Sequence, residues 1–281
     1  MNLRASEEEA LIDAIRTVAA EEILTRFRSL DPGSIDTKSR QDDLVTEADR
    51  EAERRLTDYA HSILRDCIVV GEEAVSENPD IRNEIGNAET CVIIDPVDGT
   101  WNFARGLPAF GVIVSVARKG KTVWGMIYDP ICDDWAVARR DEGAYMVRSD
   151  GTQKPLRLSD APPRSPQDIM GFAHSFLFTG DERARLFSEL PQFHRVDAFR
   201  CSAHEYRLFA QQNGEFMLSS VLNPWDHAAG CLIAEEAGGV ARLLDGTRYA
   251  PSLHTGRLLV ARSEDVWDQM AAIFQAARLE P

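Results

Sequence analysis

Ile93-Ile94-Asp95-Pro96-Val97-Asp98-Gly99-Thr100-Trp101-Asn102-Phe103 decides how the rest of the chain is read. An apolar run, 90–95, reads as a buried strand that ends in an aspartate. Pro96 lacks an N–H and argues against continuation as a central strand. A second aspartate follows, then Gly and Thr. Two carboxylates held by a proline-stiffened turn can converge on one hard cation. Oxygen ligands suit Mg²⁺, Mn²⁺ or Ca²⁺ rather than zinc. The Val97 carbonyl lies between them as a further ligand candidate. Gly99 lets the backbone approach a ligand closely, and the Gly99 and Thr100 N–H groups can hold a phosphate oxygen. The same letters also spell an Asp-rich turn whose carboxylates cap local N–H groups.

Three other segments carry acids at the ends of elements. Val69-Val70-Gly71-Glu72-Glu73 runs a buried strand into two acids; a solvated strand end is the plain alternative. Asp43-Leu44-Val45-Thr46-Glu47-Ala48-Asp49 has the capping-box spacing of a helix start, so Asp49 has a structural reading beside a catalytic one. Asn223-Pro224-Trp225-Asp226-His227-Ala228-Ala229-Gly230 opens a helix, where Asp226 suits the positive end of the dipole.

Around these segments, apolar spacing predicts helices over 6–28 and 46–65, the first with Ser6 and Glu9 as a capping box. Strands are expected at 67–71, then in an antiparallel meander at 110–118, 121–128, 134–140 and 143–148, with Gly120-Lys121 as a tight turn. Pro155, Pro162, Pro163 and Pro166 mark 149–167 as the candidate boundary between halves 1–150 and 151–281. Beyond it, strands (169–173, 196–200, 216–219, 240–244, 257–261) mix with helices (182–190, 204–212, 226–237, 263–277). The class is α/β or α+β, with sheets covered by helices.

The chain has 281 residues, 44% hydrophobic and 27% charged, with a net charge of −15. These values describe a globular chain with a sizeable core. The acidic balance argues against nucleic acid as the main partner and against an anionic membrane surface. No run of 18 apolar residues is present, so no membrane span is expected. Five cysteines, without a C-x-x-C pair and without a signal-like start, fit reduced thiols in a cytoplasm.

Taken together, Gly71-Glu72-Glu73, Asp95-Pro96-Val97-Asp98-Gly99-Thr100 and Pro224-Trp225-Asp226-His227-Ala228-Ala229-Gly230 resemble the inositol monophosphatase family of lithium-sensitive, magnesium-dependent phosphatases. Asp43 to Thr46 with Asp49 matches the family's upstream motif, and the resemblance runs from about Leu11 to Ala277. It implies a layered α-β-α-β-α sandwich, a homodimer and two or three Mg²⁺ per subunit. Glu72, Asp95 and the Val97 carbonyl would hold one ion. Asp95, Asp98 and Asp226 would hold a second, and a third would sit near Glu72. Thr100, held by Asp49, would orient the attacking water, with Glu72 also in the catalytic set. Asp98, Gly99, Thr100, Lys38, Ser202 and Asp226 would face the substrate; Lys38 also reads as an exposed loop lysine.

The alcohol side departs from the family pattern. Ser219 stands where members that favour inositol phosphate often carry a glutamate. Arg200-Cys201-Ser202-Ala203-His204-Glu205 replaces a Gly-Ser/Thr-Ala-Ala loop, and Trp101 replaces a small residue. His227 reads as a helix-surface residue or as a partner of Asp226. The expected substrate is inositol 1-phosphate or a similar small polyol phosphate. Histidinol phosphate is the rival; bisphosphates are weaker because no basic cluster for a second phosphate is evident. A regulatory protein that binds transcription machinery is the alternative of another class.

Overall fold

The structure, a computed structural model, describes residues 2–29, 35–37 and 44–279; Lys38 and Asp43 lie outside the described residues. The layers follow from which side of each strand is apolar. After an antiparallel pair, β1 (Ile35–Thr37) and β2 (Leu44–Thr46), the first large sheet joins β3 (Ile68–Gly71), β4 (Cys91–Asp98), β5 (Gly111–Arg118), β6 (Lys121–Asp129), β7 (Asp134–Arg139), β8 (Gly143–Arg148) and β9 (Gln153–Leu156) in chain order. β3 and β4 are parallel; the remaining pairs are antiparallel.

Along β5, Val112, Val114 and Val116 pack towards α1 (Ala5–Val18) and α2 (Glu47–Ile63), where they meet Leu11, Ile15, Ala52 and Leu56. Ile113 and Ile127 point the other way, onto α6 (Ser202–Ala210) and α7 (Pro224–Glu236). Strands buried on both faces read as continuous apolar runs, as here. The far side of α6 and α7 rests on a second sheet, ordered β11 (Arg195–Asp197), β10 (Met170–Ala173), β12 (Phe216–Ser219), β14 (Leu258–Ala261) and β13 (Val240–Leu243). Its outer face is closed by α5 (Gly180–Glu189) and α8 (Glu264–Ala276), through Leu186, Met270 and Phe274. The result is the five-layer α-β-α-β-α sandwich expected.

α7 lies very close to β6. A Cβ on Gly125 would fall 2.7 Å from the Ala229 Cα, so only glycine admits that contact. Since Asp226 opens α7, this contact helps fix its position against the first sheet.

Four local expectations need correction. The helix expected over 6–28 stops as an α-helix at Val18 and continues as a π-turn, Ala19–Ile23. It begins at Ala5, and Glu7 rather than Glu9 accepts the Arg4 N–H, at 2.8 Å. The β5–β6 turn is Lys119-Gly120, since Arg118 pairs with Lys121 and both turn residues have positive φ (50° and 73°). That is the backbone of a twist-matched two-residue hairpin. Finally, β4 does not stop at Pro96. Its pairing with β3 ends at Ile94, and a register shift between Asp95 and Asp98 carries the strand past the proline along β5. Pro96 therefore sits where no ladder donor is needed on the β3 side, as a bulge permits.

Candidate active site

The bulge aims two carboxylates of β4 at the start of α7. Asp95, Asp98 and Asp226 each place one carboxylate oxygen within 4.8 Å of the others. Asp95 and Asp98 are buried, and Asp226 opens on a cleft. Glu72 begins α3 (Glu72–Glu77) and lines the same cleft, of about 400 Å³. A larger cavity, about 900 Å³, lies between the 119–120 turn and α7 and holds none of these acids.

Each acid is held by backbone donors or neighbours. Asp98 accepts the Ala203 N–H, and the Cys201 thiol lies 3.2 Å from the same oxygen, so α6 is tied directly to β4. Asp95 accepts the Val97 N–H at 3.2 Å. Asn223 donates to Asp226 at 3.1 Å. Gly99 has φ +89°, and a Cβ there would meet the Ala109 carbonyl at 2.8 Å. That left-handed residue turns the chain from β4 into α4 (Thr100–Ala104).

Asp49 serves two neighbours. Its Oδ2 closes the capping box of α2 by accepting the Thr46 N–H at 2.9 Å and the Thr46 hydroxyl. Its Oδ1 lies 3.0 Å from the Thr100 hydroxyl, which is also 3.0 Å from the Val97 carbonyl. One hydroxyl proton serves one of these acceptors at a time.

The clustered acids resist ionisation. Burial, then the charges of Glu72, Asp98, Asp226 and Asp49, hold Asp95 well above the usual carboxylate range. Burial pushes Asp98 up to about 6, against the Ala203 N–H and the Cys201 thiol. Burial, then Asp98 and Glu72, push Asp226 up to about 8. A buried all-oxygen set whose charges repel one another is the donor chemistry of a hard divalent cation. The residues present fit such an ion.

A pH dependence follows. These carboxyls titrate higher when folded than unfolded, so the folded state holds the extra protons between about pH 4 and 8. Stability contributed by the protonated cluster is complete below about pH 4 and is lost as pH rises through 6 and 8. For Asp98 alone, the change from 3.8 to about 6 corresponds to about 3 kcal/mol. In chelator, the melting temperature should therefore drop between pH 5 and 8 more steeply for the parent chain than for Asp226→Asn. Added Mg²⁺ should restore the most stability at the alkaline end. Equal slopes for both proteins in chelator would refute the coupling.

The family model described as the inositol monophosphatase family matches residues 5–278. The chain belongs to that family. It is accordingly a phosphatase of a generally metal-dependent family. A histidinol-phosphatase of Chlorobaculum parvum is 32% identical over 73% of this chain and 75% of its own. A Nus factor SuhB of Vibrio cholerae is 32% identical over 77% and 78%. The solved structure of a Thermotoga maritima IMPase superposes with a TM-score of 0.80 at 22% identity, covering 97% of this chain and 98% of that one, which shows the shared fold.

Ser202, Ser219, His227 and His204 take different places around the cleft. Ser202 opens α6, is buried and lines the cleft. Ser219 does not line it; its hydroxyl lies 3.0 Å from the Val221 carbonyl. His227 is not on a helix surface. It is buried, with Nε2 2.8 Å from the Val221 carbonyl and Nδ1 3.0 Å from the Tyr206 hydroxyl, and burial lowers it to about 4. It braces the loop before Asp226. His204 lies 3.1 Å from the Phe110 carbonyl.

Two cleft residues, Arg200 and His174, were not anticipated as site residues. Arg200, at φ +55°, holds its guanidinium 4.6 Å from the Trp101 ring and 4.8 Å from the Phe176 ring. His174 pairs with the buried Glu205 at 2.7 Å and lines the cleft beside Asp98 and Asp226. One sequence signal pointed there. Glu205 falls among the buried positions of α6, and an acid on an apolar stripe requires a partner.

Proposed function

We propose that this phosphatase is a Mg²⁺-dependent phosphomonoesterase that hydrolyses inositol 1-phosphate or a similar small polyol phosphate. The observation that carries this reading is the convergence of Asp95, Asp98 and Asp226 beside the Asp49–Thr100 contact. Glu72, Asp95 and the Val97 carbonyl would hold one Mg²⁺, and Asp95, Asp98 and Asp226 another; a third would sit near Glu72. Bound Mg²⁺ supplies Lewis-acid polarisation of the phosphate and lowers the pKa of a coordinated water. Thr100 orients the attacking water, and Asp49 takes up proton density from the Thr100 hydroxyl. The Gly99 and Thr100 N–H groups bind the phosphate end.

Arg200, Ser202 and His174 offer donors on the alcohol side, which suits ring hydroxyls. The similarity to a histidinol-phosphatase keeps histidinol phosphate as the second reading. The complete carboxylate set favours turnover over a purely regulatory role. The family resemblance supports a homodimer.

Phosphate release from inositol 1-phosphate and from histidinol phosphate, each with Mg²⁺ and with chelator, tests the reading. The expected result is Mg²⁺-dependent release with inositol 1-phosphate preferred. Preference for histidinol phosphate would reassign the substrate. Release unaffected by chelator would remove the metal from the mechanism.

A further inference from the structure

Resting on the phosphomonoesterase reading above, we infer that His174 is the general acid that protonates the leaving alcohol, with Glu205 as its positioning residue. His174 directly follows β10, at an end of the second sheet, whereas Asp95 and Asp98 belong to the first. The interface between the layers brings it to the wall of the cleft that also holds Asp98, Asp226 and Ser202. Both members of the pair are almost wholly enclosed, with side-chain exposures of 11% for His174 and 2% for Glu205.

The contacts fix which ring edge can react. His174 Nε2 lies 2.7 Å from Glu205 Oε2, and Glu205 Oε1 accepts the Phe199 N–H at 2.7 Å. The carboxylate is thus anchored by backbone, and Nδ1 is the ring nitrogen left for the cleft. Phe176 lies beside the imidazole, with ring centres 5.6 Å apart and the ring planes tilted by 33°. A carboxylate behind one imidazole nitrogen favours the charged ring and sets its orientation. Burial alone would lower the imidazolium pKa. The charge of Glu205, 2.7 Å from Nε2, opposes that and favours the imidazolium. The charged or titratable groups around it are Glu205 from α6, Asp98 from β4, Asp226 and His227 from α7, and Arg200 across the cleft.

The step balances. Water forms the new P–O bond and gives up a proton towards Asp49. The ester P–O bond breaks, its electron pair goes to the alcohol oxygen, and the Nδ1 proton moves to that oxygen. The neutral imidazole is reprotonated by solvent. An alkoxide is a poor leaving group and needs this proton, whereas p-nitrophenolate does not.

The test compares β-glycerophosphate with p-nitrophenyl phosphate, in Mg²⁺, for the parent chain, His174→Asn and Glu205→Gln. His174→Asn should slow the alkyl ester by about 10²-fold or more and the aryl ester by only a few-fold. Glu205→Gln should show the same selectivity, and its alkyl-ester rate should fall away at a lower pH than the parent's. Equal slowing of both esters by His174→Asn, or none, overturns the inference. If His174→Asn does not fold, an unchanged ester ratio in folded Glu205→Gln overturns it. A parent chain that releases phosphate from neither ester sinks the phosphomonoesterase reading itself, and this inference with it.

Discussion

Asp98→Asn is expected to reduce phosphate release about a thousandfold or more while leaving the fold intact. As a ligand of the second proposed Mg²⁺, Asp98 would account for several kcal/mol of transition-state stabilisation, and about 4 kcal/mol corresponds to that factor. Folding should survive for a local reason. Asparagine keeps an oxygen to accept the Ala203 N–H, the bond that ties α6 to β4. The substitution also deletes one of three mutually repelling charges. In chelator, the variant should therefore melt no lower than the parent, and Mg²⁺ should raise its melting temperature less. Phosphate assays and thermal unfolding, each with and without Mg²⁺, read both effects. Turnover near the parent's would sink the assignment of Asp98 as a metal ligand.

Thr100→Val should lower kcat by about 10² to 10⁴-fold with a small change in KM. The hydroxyl is the only part of Thr100 that valine removes, and it stands 3.0 Å from both Asp49 and the Val97 carbonyl. Its proposed work lies in orienting water, so ground-state binding should be nearly untouched. Asp49→Asn is a less clean probe, because Asp49 also closes the cap of α2. Losing a cap typically costs about 1 kcal/mol. The two substitutions act on one unit, so the double variant should be little slower than Thr100→Val alone. Multiplying effects would mean that Asp49 and Thr100 work separately.

Much of this was legible because the decisive residues lie at ends of elements. Strand signals at 143–148 and 216–219 coincide with β8 and β12, and the second helix starts where Thr46 and Asp49 indicate. The three aspartates were legible as a motif, and the structure brings them together. Features set by distant contacts were hidden. α3 is capped from α2, since Glu53 accepts the Glu73 and Ala74 N–H groups at 2.8 Å each. Local propensity could not reveal that helix. Pro96 reads as a stop, yet the ladder on one side had already ended, so the strand continued past it. His174 carries no local pattern at all; its meaning comes from Glu205, in another layer.

The tie between Asp98 and Ala203 joins residues 105 positions apart, and Asp226 comes later still. A nascent chain that has emerged only as far as the meander owns two of the three clustered aspartates and cannot complete the cluster. Completion of the cluster thus awaits α7, which lies with α6 between the sheets. An ion held by the three aspartates would therefore test finished assembly: an error in that docking would weaken its site even where both sheets are well formed.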